Sequence, residues 1–527
     1  MTSAHDEFVL LGLLLCGGGL VVLARIVRIP YPILLVLGGL ALGFVPGLPD
    51  VELDPEVVFV AFLPPLLYAA AFFTSLRDLR ANLGQISLLS VGLVLATTVG
   101  VAVVAHAFVD DLPWAAAFVL GAIVSPTDPI AATSIAHRLG VSRRVVSIVE
   151  GESLINDGTA LVAYRFAVVA VVSGTFSFWS ASLEFVWSVA GGIGVGLVVG
   201  FLIRMLRRRI NHPPTEITIA LLSGYLGFLP ADALGVSGIL AAVTVGIYMG
   251  WYTPELTTPE TRLQGVAVWE IVTFVLNSLL FGLVGLQLPQ VIDAINGYSW
   301  GELVGWGTIV AGTVIVIRVV WVFPLTYVPR MFKRMRKGPA PPWEEPLLVA
   351  WMGMRGAVSL AAALALPLTT DAGDPFPGRS LITFLTFCVI LATLVGQGLT
   401  LGPLIKWLGP TADDMEEREE AKARILASDA ALERLDQLVE EGWVYEDTAE
   451  RSRGLYDFRK RRFRARLDGM DDDGLEERSQ AFQRLRRELL AAERARVVAL
   501  GREGRISEDV MRRVLRDLDL EDTRLDI

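Results

Sequence analysis

Gly151-Glu152-Ser153-Leu154-Ile155-Asn156-Asp157-Gly158-Thr159-Ala160-Leu161-Val162 is the stretch that decides how this chain is read. It places two acids and an amide inside a run, residues 143–172, that is long and apolar enough to cross a bilayer. An ionised side chain at the membrane centre costs roughly 3 kcal/mol on insertion scales, so such a residue faces a water-filled cavity and handles an ion or a proton. Just upstream, Ser125-Pro126-Thr127-Asp128-Pro129 interrupts the preceding apolar run. A carboxylate beside a broken helix is the pattern of a cation site inside a membrane.

Composition places the rest of the chain. Its 527 residues are 53% hydrophobic and only 19% charged, below the roughly 25% charge of a soluble domain. The charge is segregated: residues 1–409 are mostly apolar, and residues 410–527 are dense in both signs. The formal net charge of −10 therefore averages two environments, and no polybasic face points to nucleic acid. Cys16 and Cys388 both fall in apolar runs and make no disulfide framework. His5, His106, His137 and His212 lack metal-ligand spacing, so no cofactor is expected beyond the transported ions. The first apolar run has no basic stretch before it and reads as a span, not a signal peptide.

Breaking the chain at polar and Pro/Gly clusters predicts about thirteen spans. They lie near 8–27, 31–48, 56–74, 84–108, 114–137, 143–172, 182–206, 214–230, 234–252, 264–288, 302–328, 345–367 and 380–408. The eighth and ninth, joined by Pro230-Ala231-Asp232, could equally be one bent segment. Basic residues fall in alternate links: Arg25/Arg28, Arg77/Arg80, Arg138/Arg143/Arg144, Arg204–Arg209, Arg262 and Arg330–Lys337. The intervening links, such as Asp50/Glu52/Asp54 and Asp110/Asp111, are acidic or neutral. The positive-inside rule puts the N-terminus outside and the tail inside, as an odd number of spans requires. A second interruption, Trp351-Met352-Gly353-Met354-Arg355-Gly356, falls in the second half where Ser125–Pro129 falls in the first. Paired breaks point to an all-α membrane protein of two inverted six-helix repeats with crossed broken helices.

Asp157 is the primary cation and proton site. Desolvation favours the neutral form of a carboxylate, so a carboxylate there can trade a proton for a cation. Thr127 supplies a hydroxyl, and Ser153 lies four residues before Asp157 on the same helix face. Asp128 either caps the half-helix that follows, with Pro129 in its first turn, or joins the cation ligands. Glu152 and Arg355 are expected to form a buried ion pair, because an unpaired Arg at this depth is expensive. Asn156 would bridge the pair. Arg165 and Arg318 also sit in apolar runs, and Arg165 would line a funnel or snorkel to the interface. Glu216 and Glu270 read as acids near span starts that stabilise helix N-termini.

Three motifs carry a resemblance: Thr127-Asp128-Pro129, Gly151 to Asp157, and Gly353-Met354-Arg355-Gly356-Ala357-Val358. In order and spacing they resemble the monovalent cation:proton antiporter-1 family, the NhaP-like and NHE-type Na⁺/H⁺ exchangers. Leu63-Pro64-Pro65-Leu66-Leu67 and Trp269-Glu270-Ile271-Val272-Thr273-Phe274 are similar to its bacterial branch. The resemblance implies a multi-pass homodimer in the lipids of the cell (inner) membrane, working by an elevator-like alternation. It implies Na⁺ held by Asp157, Thr127 and Ser153, with Glu152, Asn156 and Arg355 as a stabilising network. An Asn before the ion-binding Asp implies one cation exchanged for one proton. Many relatives carry an acid just after the Pro-Pro-Leu-Leu stretch, where this chain reads Tyr68-Ala69-Ala70, so the ligand set is one carboxylate short and the ranking of Na⁺, Li⁺ and K⁺ stays open.

Residues 410–527 read as a cytosolic helical domain, with apolar residues at helical spacing in Glu416–Glu441 and Leu475–Val498. A K⁺/H⁺ antiporter serving pH homeostasis, a cation channel and a membrane sensor are the rival readings. The paired breaks favour an antiporter over a channel, whose filter is repeated around a symmetric pore.

Overall fold

The computed structural model describes residues 17–24, 26–27, 29–45, 58–109, 112–174, 178–293, 295, 297–331, 342–409, 414–468 and 475–523. The start of the first predicted span and the links at Asp50–Asp54, Asp110–Asp111 and Lys333–Lys337 lie outside them. The chain divides into two compact units, 1–412 and 413–527.

The regular secondary structure of the first unit's described residues is helical, apart from a single isolated bridge between Thr369 and Pro375. Its helices are α1 (Tyr31–Gly43), α2 (Leu63–Phe73), α3 (Leu76–Phe108), α4 (Trp114–Val124) and α5 (Ile130–Arg138). There follow α6 (Arg143–Ser173), α7 (Phe178–Arg207), α8 (Pro213–Ala233), α9 (Gly238–Leu256) and α10 (Pro259–Leu286). The last are α11 (Trp300–Met331), α12 (Glu344–Trp351), α13 (Ala357–Leu364) and α14 (Arg379–Leu408). Among the described residues six helices are long and apolar enough to cross a membrane: 76–108, 143–173, 182–207, 259–293, 300–328 and 379–408.

Short polar side chains start these helices where the sequence leaves an apolar run. Ser75 Oγ accepts from the Asp78 amide at the start of α3, and Ser237 Oγ accepts from the Leu240 amide at the start of α9. Thr258 Oγ1 accepts from the Thr261 amide, with Pro259 opening α10. At α11 the pair is reciprocal: Ser299 N donates to Glu302 Oε2 (2.8 Å) and Glu302 N donates to Ser299 Oγ (3.3 Å). The bent single segment allowed near residue 230 is not formed. Pro230 lies inside α8, and the turn Leu234–Ser237, with Gly235 at φ +71°, separates α8 from α9.

Packing sorts the helices into two groups. α3, α4, α6, α11, α12 and α14 pack chiefly on one another, while α10 packs on α1, and α9 on α2, α7 and α8. The first group carries both helix breaks. Contacts between the groups are fewer and run through α2, α9 and α6 and through α10 and α13. A cavity of about 600 Å³ lies along this seam.

The second unit holds α15 (Asp414–Glu440), α16 (Glu446–Asp468), α17 (Leu475–Arg502) and α18 (Glu508–Thr523). α15 pairs with α16 and α17 with α18. Gly442, at φ +80°, turns the first hairpin. Charge holds both hairpins: Lys460 meets Asp429, and Arg494 bridges Asp519 and Asp522 at 2.9 and 2.8 Å. α16 has too few apolar residues to be predicted from periodicity. Phe463, buried beneath the Arg424 guanidinium 5.0 Å from its ring centre, anchors it.

Candidate cation site at the crossed helix breaks

Residues 125–129 separate α4 from α5, and residues 352–356 separate α12 from α13. The two breaks touch. The Asp128 amide donates to the Met354 carbonyl (2.7 Å), and Arg355 Nε donates to the Val124 carbonyl (3.1 Å). A helix end leaves its last carbonyls unbonded. Here two guanidiniums take them up: Arg355 at the end of α4, and also at Gly353 O, and Arg318 at the end of α12. Arg318 Nε donates to the Ala350 carbonyl at 3.1 Å and Nη2 to the Val349 carbonyl at 3.0 Å. Positive charge at a helix C-terminus is also favoured by the peptide dipoles.

The expected Glu152–Arg355 pair is not formed. Glu152 takes a bidentate pair from Arg318, with Nη1 to Oε1 at 2.5 Å and Nη2 to Oε2 at 2.8 Å. Both residues are fully buried. Arg355 finds its partners in backbone carbonyls instead, and its own amide donates to Thr393 Oγ1 at 3.0 Å. Two arginines competed for one acid. The planar fork of Arg318, reaching in from α11, matches the carboxylate, whereas Arg355 is held beside the helix ends it caps.

Thr127 is the hub on the first break. Its Oγ1 lies 3.3 Å from Glu152 Oε1 and 3.3 Å from Ser153 Oγ, and it accepts from Asn156 Nδ2 at 2.7 Å. Asn156 therefore bridges to Thr127 and not to an ion pair, and its Oδ1 accepts no hydrogen bond among the described residues. Asp128 Oδ1 accepts from the Ile130 amide at 3.0 Å, an Asx turn one residue ahead of the cap position, which Pro129 takes without a side-chain bond. The glycines of the second break are demanded by close approach. A β-carbon at Gly353 would overlap the Arg318 guanidinium, and one at Gly356 would overlap the Asp128 carboxylate.

Asp157 lies one turn beyond Ser153 on α6 and is 8% exposed. None of the described groups donates to its carboxylate, which borders the 600 Å³ cavity along the seam. The wall also holds Thr127, Asp128, Ser153, Glu150, His137 and Glu270, and no Arg or Lys among the described residues. Ala69 and Ala70 line it where α2 passes, without a carboxylate. The arrangement offers oxygen ligands and negative charge to a hard cation, and water can reach it.

The family described as Sodium/hydrogen exchanger, transmembrane, matches residues 10–407. The chain belongs to the Na⁺/H⁺ exchanger family. It is a multi-pass membrane transporter and not an enzyme. Over 512 residues it is 38% identical to an uncharacterised Na⁺/H⁺ exchanger of Mycobacterium tuberculosis, covering 96% of this chain and 93% of the relative. It is 35% identical to the Na⁺/H⁺ antiporter ApNhaP of Aphanothece halophytica over 411 residues, 77% of this chain and 75% of that one. Its fold is similar to that of the sodium proton antiporter MjNhaP1 from Methanocaldococcus jannaschii, with a TM-score of 0.61 at 20% identity over 76% of this chain and 97% of that one.

Sequence reasoning missed two residues of the candidate site. Arg318 was unassigned, although an Arg inside an apolar run demands an acid, and Glu152 was as near a candidate for it as for Arg355. Glu270 was read as a helix-start acid, but α10 begins at Pro259, three turns earlier, and Glu270 faces the cavity. The Thr258-Pro259 cap was the signal that could have placed it. Glu216 is in the first turn of α8 as expected, yet it is buried and bonded to Arg207 Nη2 at 3.3 Å. Arg165 is exposed and 3.4 Å from Asp232.

Proposed function

We propose that this exchanger trades Na⁺ for H⁺ by letting the two compete for Asp157. The observation that carries the reading is a carboxylate with no donor among the described residues, bordering a cavity that Thr127 and Ser153 also line. Thr127 and Ser153 supply further oxygens, and Asp128 adds charge at the edge of the site. Glu152, Arg318, Asn156 and Arg355 hold the breaks in register. One ion-binding carboxylate preceded by Asn156, and not by a second acid, supports exchange of one cation for one proton, which moves no net charge. Li⁺ and K⁺ are further cargoes. A relative in Bacillus subtilis, 36% identical over 378 residues, covering 70% of this chain and 56% of its own length, is described as a sodium, potassium, lithium and rubidium/H⁺ antiporter.

The two helix groups support an elevator: the group bearing the breaks slides against the group of α1, α2 and α7–α10, so that the seam opens to each side in turn. In this reading the unit 1–409 has two inverted six-helix repeats and dimerises in the cell membrane, with the N-terminus outside and the cytosolic helical unit 410–527 inside. The basic link at Arg138–Arg144 then faces the cytoplasm, and the cavity, which reaches His137, opens to that side.

The test is proton flux in proteoliposomes under an imposed pH gradient, on adding Na⁺, Li⁺ or K⁺. Cation-dependent dissipation that vanishes in Asp157→Asn is the expected result. Dissipation that persists in the variant moves the site elsewhere, and none with any cation from folded protein sinks the antiport reading.

A further inference from the structure

The cavity has a second polar wall. Glu270, Thr273 and Asn277 of α10 all line it, at positions i, i+3 and i+7, which one helix face presents together. They belong to the helix group that does not carry Asp157. The Glu270 side chain has no ion-pair or hydrogen-bond partner among the described residues. The other peripheral acid, Glu150, is faced by His137, with Nε2 to Oε1 at 3.8 Å. Thr273 Oγ1 gives its proton to the Trp269 carbonyl at 2.7 Å, which leaves oxygen lone pairs for a cation. Asn277 is 5% exposed; its amide meets the Tyr31 hydroxyl, and its Oδ1 accepts no hydrogen bond among the described residues. A buried acceptor left unmet is costly, so an oxygen there wants a ligand.

Building on the exchange reading, we propose that Glu270, with Thr273 and Asn277, forms a second binding position for a partly hydrated monovalent cation, which it takes from solution and delivers to Asp157. Carboxylate, hydroxyl and amide oxygens are what a hard cation binds. Seven residues of helix rise about 10 Å, longer than one ion's shell, so Glu270 and Thr273 hold the ion and its remaining water extends toward Asn277. Glu270 thereby provides from α10 the carboxylate that Ala69 and Ala70 do not provide from α2. With no Arg or Lys on the wall among the described residues, nothing there opposes the attraction.

Two measurements test this on the full chain. Equilibrium Tl⁺ binding to purified protein needs no turnover. Asp157→Asn is expected to keep a weaker Tl⁺ site that the double variant with Glu270→Gln loses; an Asp157→Asn protein that binds no Tl⁺, or a site that survives in the double variant, overturns the proposal. In proteoliposomes Glu270→Gln raises the KM for Na⁺ about tenfold with kcat within about twofold, Glu270→Asp restores the KM, and Glu150→Gln shifts it by less than Glu270→Gln does. Equal KM shifts in Glu270→Gln and Glu150→Gln would mean a diffuse field and no site. Wild-type protein that binds Tl⁺ but dissipates no gradient would overturn the exchange reading instead, leaving the binding result to decide this one.

Discussion

At the scale of single residues, a small number of buried charges carries the site, and each has a different bargain with its surroundings. Asp157 has no donor among the described residues. If Na⁺ and H⁺ compete there, raising Na⁺ tenfold displaces the proton at lower pH, and the half-activity point falls by about one pH unit. A titration of exchange rate at two Na⁺ concentrations checks this; an unmoved midpoint means separate sites. Glu152 and Arg318 are a satisfied pair. Arg318→Gln strands a buried carboxylate and is expected to cost about 3–5 kcal/mol, whereas Glu152→Gln combined with Arg318→Gln costs less than Arg318→Gln alone. Arg355→Gln removes only helix-end contacts and should cost less, up to about 2 kcal/mol. Thermal unfolding in detergent ranks the variants, and the opposite order would return Arg355 to the role of Glu152's partner.

At the scale of elements, the crossing of the two breaks is held by backbone as much as by side chains. The Asp128 amide on the Met354 carbonyl fixes one break on the other, and Gly356 lets the Asp128 carboxylate come that close. Gly356→Ala forces the breaks apart. The expected cost is about 1–3 kcal/mol of overpacking, together with loss of exchange, since Thr127 and Asp157 are set by that crossing. Flux and unfolding on the same preparation check it. A variant with wild-type flux would show that the crossing has slack. The same change at Gly312, which has open space around it on α11, is the control and leaves both readouts within error.

At the scale of the molecule, two units fold about separate interiors. Buried apolar residues fill the first throughout, whereas the second buries only small patches such as Leu490, Leu518 and Phe463 and relies on ion pairs between its helices. The solved antiporter of similar fold covers 76% of the chain with 97% of its own length, an extent close to that of the first unit. A chain ending at residue 409 is therefore expected to keep its melting temperature within a few degrees and to retain cation-dependent proton flux. Failure of that chain to enter the membrane or to unfold cooperatively would make the second unit part of the first one's stability. Mixed exposed ion pairs are individually weak, so the second unit should loosen in high salt before the first does.

Hydrophobic run length, the positions of both breaks and the isolation of Asp157 were legible in the sequence. Each is a local property: a bilayer selects apolar runs of one length, proline and glycine interrupt helices wherever they fall, and an acid inside such a run stands out by itself. What tertiary structure decided is which buried groups meet. Glu152 had two arginines on offer, and their distances along the chain, from 152 to 318 and to 355, carry no preference. The choice fell to α11, whose packing against the end of α12 brings the Arg318 fork onto the carboxylate while Arg355 is spent on helix-end carbonyls. Glu270 likewise acquired its meaning only when α10 turned that face toward the seam. Periodicity says that a residue belongs to a helix, but the side of the cavity it looks into is set by the neighbours the helix packs on.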